Sequence, residues 1–170
     1  GYVDGNFFYA GDKPNTGAIT AKFGNGIDNI LVHVGSQKKP LKTLQDPNDF
    51  SVTAYPNTVT ASGNPMGNSV LLQYDFTKGT ETRAAYLHLL PNAKEKGILL
   101  PEGAIAVGMT VGADGNGGWL RGVVSDSENR EHIIDFAKVA DWTGEKYVEA
   151  YLPSVPAPLR LKRIYVAETE

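Results

Sequence analysis

A chain of 170 residues with 41% hydrophobic residues and a formal charge of −3 has ordinary globular composition, sized for one domain or one domain plus a fragment. The near-neutral balance, without a basic stripe, argues against nucleic acid or an anionic membrane as the main partner, and no apolar run reaches the roughly 18 residues that a spanning helix needs, so membrane insertion is not expected. Zero cysteines exclude disulfides, thiolate metal sites and cysteine nucleophiles, and leave the compartment open.

The first 36 residues read as strands and turns. Asp4-Gly5 and Gly24-Asn25-Gly26 are turn signals, and Ala18–Phe23 and Ile30–Val34 alternate as the arms of a hairpin would. No charged-then-apolar signal segment opens the sequence, and the abrupt Gly1-Tyr2 start reads as a piece of a longer protein. Residues 37–49, polar and with two prolines, read as a linker into a domain spanning 50–170. In that domain Phe50–Thr60 is expected as a first strand with a turn at Pro56-Asn57, and Ala61–Asn68 as a loop. Ser69–Phe76 alternates, with Val70, Leu72, Tyr74 and Phe76 on one face. After a Lys78-Gly79 turn, Thr82–Leu90 places Arg83, Ala85 and Leu87 on one face and Ala84, Tyr86 and His88 on the other.

Pro91–Gly103 reads as a loop, in which Asn92–Lys96 is the only helical suggestion and too short to stand alone. Ala104–Val111 is a further strand, and Ala113–Gly118 a tight loop. Three short runs follow, Trp119–Val124, His132–Ala137 and Tyr147–Tyr151, each bounded by Gly- or Asp-rich turns. A Val155–Pro158 turn leads to the last strand, Leu159–Val166. Roughly eight to ten strands with regular turns and no amphipathic helix predict an all-β protein, an antiparallel β-sandwich of jelly-roll, galactose-binding-like type, preceded by a short N-terminal β segment.

A sheet face bearing rings and planar polar groups suits a sugar. Aromatic faces supply contact area at small entropic cost, and Arg, Asp and His supply directed hydrogen bonds. The candidates are Trp119, Arg121, Arg83, Tyr86, His132, Asp135 and Trp142, with Trp119 and Arg121 placed on one face by strand alternation. The competing reading makes Trp119 and Trp142 core residues and pairs Arg121 and Arg83 with Asp135 or Asp75. Chemistry is less well supplied. His33, His88 and His132 lack metal-ligand spacing, and no nucleophile elbow, phosphate loop or dinucleotide fingerprint is present. Carboxylate pairs such as Glu128 with Glu131 or Asp135 with Glu149 could in principle act as acid and base, but exposed acids of this kind are usually solvated surface. Asp114-Gly115-Asn116 has the look of a calcium loop but lacks the downstream Glu, so a plain turn is expected there.

Two resemblances organise these readings. Gly1, Val3, Asp4, Phe8, Ala10, Gly11, Thr16, Gly17, Ile19, Thr20, Ala21, Val32, Val34 and Gly35 resemble the C-terminal half of a bacterial immunoglobulin-like repeat, a spacer of cell-surface proteins. LLQYDFTKGTETRAAY (Leu71–Tyr86), GADGNGGWLRG (Gly112–Gly122), IIDFAKVADWTGEKYVEAYLP (Ile133–Pro153) and PLRLKRIYVAET (Pro158–Thr169) resemble the carbohydrate-binding-like jelly roll found C-terminal in bacterial surface-layer-type phosphodiester glycosidase proteins. That resemblance implies a non-catalytic module, an extracellular or cell-surface location, and polysaccharide or cell-wall glycan plus other domains of the same polypeptide as partners. It also implies one structural calcium ion, with Asp46, Glu168 and the Gly67-Asn68-Ser69 loop at the matching positions. Thr110, Gly112 and Glu145 stand where such domains carry aromatics, which favours the alternative, a structural spacer or docking module that binds no glycan.

Overall fold

The structure, a computed structural model, describes residues 2–5, 7–9, 15–34, 38–41, 44–78, 81–91 and 96–168. Gly1, Ala10, Gly11 and Gly35 of the repeat-like pattern, linker residues 37, 42 and 43, the turn residue Gly79 and the helical suggestion at 92–95 lie outside the described residues. The chain divides into two compact units, Gly1–Pro40 and Leu41–Glu170, so the division falls inside the expected linker.

The first unit holds two antiparallel ribbons. β1 (Tyr2–Asp4) pairs with β2 (Phe7–Tyr9), and the rings of Tyr2 and Tyr9 stack at 5.0 Å. β3 (Asn15–Phe23) pairs with β4 (Gly26–Val34) in a register that leaves only Gly24-Asn25 in the turn. Gly24 has φ +59°, the left-handed conformation that such tight hairpin turns demand. No residue of this unit whose side chain is described is buried; Phe23 is 94% exposed.

The second unit is the expected sandwich. Its strands are β5 (Phe50–Tyr55), β6 (Thr60–Met66), β7 (Ser69–Asp75), β8 (Arg83–Leu89), β9 (Ile98–Leu99), β10 (Ala106–Asp114), β11 (Trp119–Ser125), β12 (Glu131–Ala137), β13 (Thr143–Tyr151) and β14 (Arg160–Glu168). The main sheet runs β12-β11-β14-β8-β5, with β9 also on β14; β10 pairs with β13 and β6 with β7. The pairs β11–β12, β10–β13 and β8–β14 are nested in sequence and alternate between the layers, which is the winding of a jelly roll. The core lies between the layers. Leu87, Leu89, Leu120, Val124, Ile134, Phe136 and Leu161 of the main sheet meet Val107, Val148 and Ala150 of the β10–β13 ribbon. Full burial of each large side chain contributes about 1.5–3 kcal/mol.

Two local differences from the sequence reading have steric causes. Ala61–Asn68 is mostly strand, not loop. Pro65 is tolerated because, among the described residues, β6 pairs only with β7, and a strand edge needs no donor there. A side chain at Gly63 would put its Cβ 2.7 Å from Val52 Cγ2 and 2.9 Å from Phe50 Cε2, so glycine marks a close approach rather than a break. In β11, Gly122 leaves space for Phe136 of the neighbouring strand, whose Cε2 would lie 2.9 Å from an added Cβ.

Candidate functional site

Parity decides which side chains reach the outer face of the main sheet. In β11, Leu120 and Val124 point into the core, so Trp119, Arg121 and Val123 point out. In β8, Leu87 and Leu89 point in, so Ala84, Tyr86 and His88 point out. Arg163, Tyr165 and Ala167 of β14 and Glu131, Ile133 and Asp135 of β12 share that outer face. Register then aligns them in rows. Asp135 stands opposite Arg121, Arg121 opposite Tyr165, Tyr165 opposite Tyr86, and Tyr86 opposite Thr53. The next row is Trp119, Ala167, Ala84 and Tyr55. Neighbouring strands lie about 4.8 Å apart, so adjacent members of a row are in side-chain reach.

Arg121 is the centre of the first row. Its Nε donates to Asp135 Oδ1 at 2.9 Å, and its guanidinium carbon lies 3.9 Å from the centroid of the Trp119 ring and 5.9 Å from that of Tyr165. One face of the Trp119 ring is therefore covered by a cation. The indole Nε1 is buried and has no acceptor among the described residues. Tyr165 is 7% exposed and packs with Ala84, Val123, Ala167 and Tyr86; the Tyr86 ring lies 5.1 Å away. Burial pushes the Tyr165 phenol above its ordinary pKa, so it stays protonated as a donor. His88 and Thr53 are joined at 2.8 Å; burial, then Arg163, hold the imidazole below the usual histidine range. Arg163 closes a second pair in the same face, with Nη1 and Nη2 donating to Glu131 Oε1 and Oε2 at 3.0 and 2.6 Å.

Of the residues expected to hold a sugar, Trp119, Arg121, Asp135 and Tyr86 thus share one face. The other three do not join them. Arg83 follows the parity of Leu87 and turns to the inner side, where Nη1 donates to the Phe76 carbonyl at 2.9 Å and Nη2 lies 3.2 Å from Glu168. It pairs with Glu168. His132 has the parity of Ile134 and Phe136 and sits at the start of β12, 2.9 Å from Asp126 Oδ2. Trp142 belongs to the β10–β13 side, where it packs on the core, donates to the Val111 carbonyl at 3.3 Å and carries Lys146 Nζ 4.8 Å from its ring centroid. Tyr165, Thr53 and His88 belong to the face, and sequence reasoning did not single them out. Alternation within β8 puts His88 beside Tyr86, but only the pairing of distant strands brings Tyr165 and Thr53 alongside.

The positions expected to bind calcium do not converge. Asp46 accepts from Asn48 N and Nδ2, both at 2.8 Å, capping the short 3-10 turn Pro47–Asp49. Asn68 accepts from Gln45 Nε2, which brings the β6–β7 turn close to Asp46 in the chain. Glu168 lies at the other end of the sheet. Phe50 follows Asp46 by four residues and pairs with Leu89, whereas Glu168 pairs with Arg83. Those ends of β8 are about 20 Å apart at strand rise. Among the described residues no three His, Asp or Glu side chains are grouped to hold a metal. Asp114 caps its own turn, accepting from Asn116 N and Nδ2 at 3.1 and 2.8 Å. Of the acid–base candidates, Asp135 and Glu149 stand in different sheets, Glu128 lies 3.0 Å from Arg130, and Glu131 is held below the ordinary carboxylate range, first by its bond to Arg163.

The geometry therefore gives a sheet face with a fixed cation, two phenols and a histidine–threonine pair, next to a half-buried indole. No protein family, no curated protein and no solved structure matches this chain.

Proposed function

We propose that this chain is a non-catalytic, carbohydrate-binding-like β-sandwich module of a secreted or cell-surface bacterial multi-domain protein, with its ligand lying across the outer face of the main sheet. The link to a phosphodiester glycosidase elsewhere in the polypeptide rests on the sequence resemblance. The observation that carries the binding reading is Arg121, held by Asp135 and stacked on Trp119 on a face away from the core. Side chains fixed before the ligand arrives lose little entropy on binding. With one Trp119 face covered, ring stacking falls to the exposed Tyr55, and the rest of the contact is polar. Affinity for one site would be weak and raised by repetition along a polymer.

A second reading is favoured by a specific observation. Tyr165 is 7% exposed, and its row is packed rather than hollow, as an architectural spacer or docking module requires. Affinity electrophoresis in gels cast with bacterial wall and plant polysaccharides separates the two. Retention of the wild type, lost roughly ten- to hundred-fold in Arg121→Ala with an unchanged circular dichroism spectrum, is the expected result. Free migration of the wild type through every polymer leaves the spacer reading.

A further inference from the structure

Two arginine–carboxylate pairs sit on the same sheet face, and they differ in one respect. Arg163 is closed: both terminal nitrogens are spent on Glu131, at 3.0 and 2.6 Å. Arg121 is open. Only Nε meets Asp135, through Oδ1 at 2.9 Å, and among the described residues nothing accepts from Nη1 or Nη2 and nothing donates to Asp135 Oδ2. Both partners reach solvent, with side-chain exposures of 21% for Arg121 and 42% for Asp135. The Trp119 ring, 3.9 Å from the guanidinium carbon, fixes the plane of the fork. Stacking on a ring and a carboxylate at Nε pre-orient an arginine with its two outer nitrogens still available.

We infer that this open pair selects a neutral polysaccharide whose sugars present two adjacent hydroxyls. The inference rests on the glycan-binding reading and deepens it. A hydroxyl both accepts and donates, and a guanidinium only donates, whereas an ionised carboxylate only accepts. Set side by side, Nη1 and Nη2 donate to the two hydroxyl oxygens of a vicinal diol, and Oδ2 accepts a hydrogen bond from the O–H of one of them. Every polar atom of the pair is then used, with charge-assisted bonds throughout. A uronate or a phosphate also fits the fork, but it brings a second negative charge beside Asp135. That repulsion, in a site where Arg121 is already neutralised, discriminates against acidic polymers. Asp135 is thus a specificity residue as well as a positioning one.

The test is affinity electrophoresis at pH 7 of the full chain in gels cast with mannan, galactan or polygalacturonate, on the wild type, Arg121→Lys and Asp135→Asn. The wild type should be retained by a neutral polymer and pass freely through polygalacturonate. Arg121→Lys keeps the charge but not the fork and should weaken neutral retention by about tenfold or more. Asp135→Asn removes the repelling charge, so it should weaken neutral retention several-fold and gain retention on polygalacturonate. Thermal melts confirm that both variants are folded. Wild-type retention on polygalacturonate alone, or neutral retention unchanged in both folded variants, overturns the inference while leaving a glycan-binding module. Absence of wild-type retention on all polymers, including the wall and plant panel, overturns the glycan-binding reading itself.

Discussion

Leu89→Ala should lower the stability of the sandwich by about 2–5 kcal/mol. Leu89 is 1% exposed and is one of the two largest fully buried side chains. It lies on β8 opposite Phe50, inside the cluster that joins both layers through Leu100, Val107 and Val148. Removing its isobutyl group deletes transfer free energy and leaves a cavity, because the residues around it belong to strands fixed by pairing on both sides of β8. At roughly 3–5 °C per kcal/mol for a unit of this size, the melting midpoint should fall by on the order of 10 °C. Calorimetry of the wild type and the variant measures it. A shift of a degree or less would mean that the two layers do not share this core.

The second large effect concerns acid. Asp126 follows β11, and its side chain is fully enclosed, 0% exposed. Oδ1 accepts from the backbone N–H groups of Glu128 and Arg130 at 2.9 and 3.0 Å; Oδ2 accepts from Arg130 Nε at 2.8 Å and meets His132 Nε2 at 2.9 Å. The same residue closes the loop through its backbone, with Asp126 N donating to Arg130 O and Asn129 N to Asp126 O, both at 3.0 Å. Asn129 takes φ +61°, a left-handed turn position that asparagine tolerates better than most residues. Burial pushes the carboxyl upward, but the bonds from His132, Arg130 and Glu128 together outweigh it and hold the group well below the ordinary carboxylate range. A native pKa below the unfolded value means that the contribution is complete above about pH 4 and is lost as pH falls toward the native pKa. Asp126→Asn keeps the shape but turns an amide donor toward other donors. The variant should melt well below the wild type at pH 7, and the gap should narrow on acidification from about pH 4 to pH 2. Asp75, lowered mainly by its bonds to Thr77, and Glu131, lowered mainly by Arg163, steepen the acid limb of both proteins alike. Melting curves that stay parallel over this range would contradict the account of Asp126.

The parts of the fold that were readable before any coordinates were those written in short alternation. Val70, Leu72 and Tyr74 alternate with exposed neighbours as expected, and the inward set of β8, Ala85 and Leu87, is separated from the outward set as the period of two requires. Turn chemistry at Gly24-Asn25 fixed the β3–β4 register. Two kinds of feature were not readable. The first is a residue whose breaker character is cancelled by its place, such as Pro65 on an edge strand or Gly63 under Phe50. The second is long-range order of strands. Arg83 carries the parity of Leu87, which alone removes it from the outer face, but nothing local says that β14 lies between β11 and β8. That order makes Tyr165 the neighbour of Arg121 and sends Glu168 to Arg83, away from Asp46. The Arg121–Asp135 pair was visible as a competing structural reading. The structure contains that pair in a form that leaves Nη1, Nη2 and Oδ2 without partners among the described residues.

The proposed place of ligand recognition is the outer face of the β12-β11-β14-β8-β5 sheet. Heteronuclear NMR of the labelled protein titrated with soluble fragments of whichever polysaccharide retains it in gels tests this most directly. Shifts should concentrate on Trp119, Arg121, Asp135, Tyr86 and Thr53, including the Arg121 side-chain Nε–H and the Trp119 indole N–H. Shifts confined to the β10–β13 ribbon around Trp142, or to residues 1–40, would contradict it.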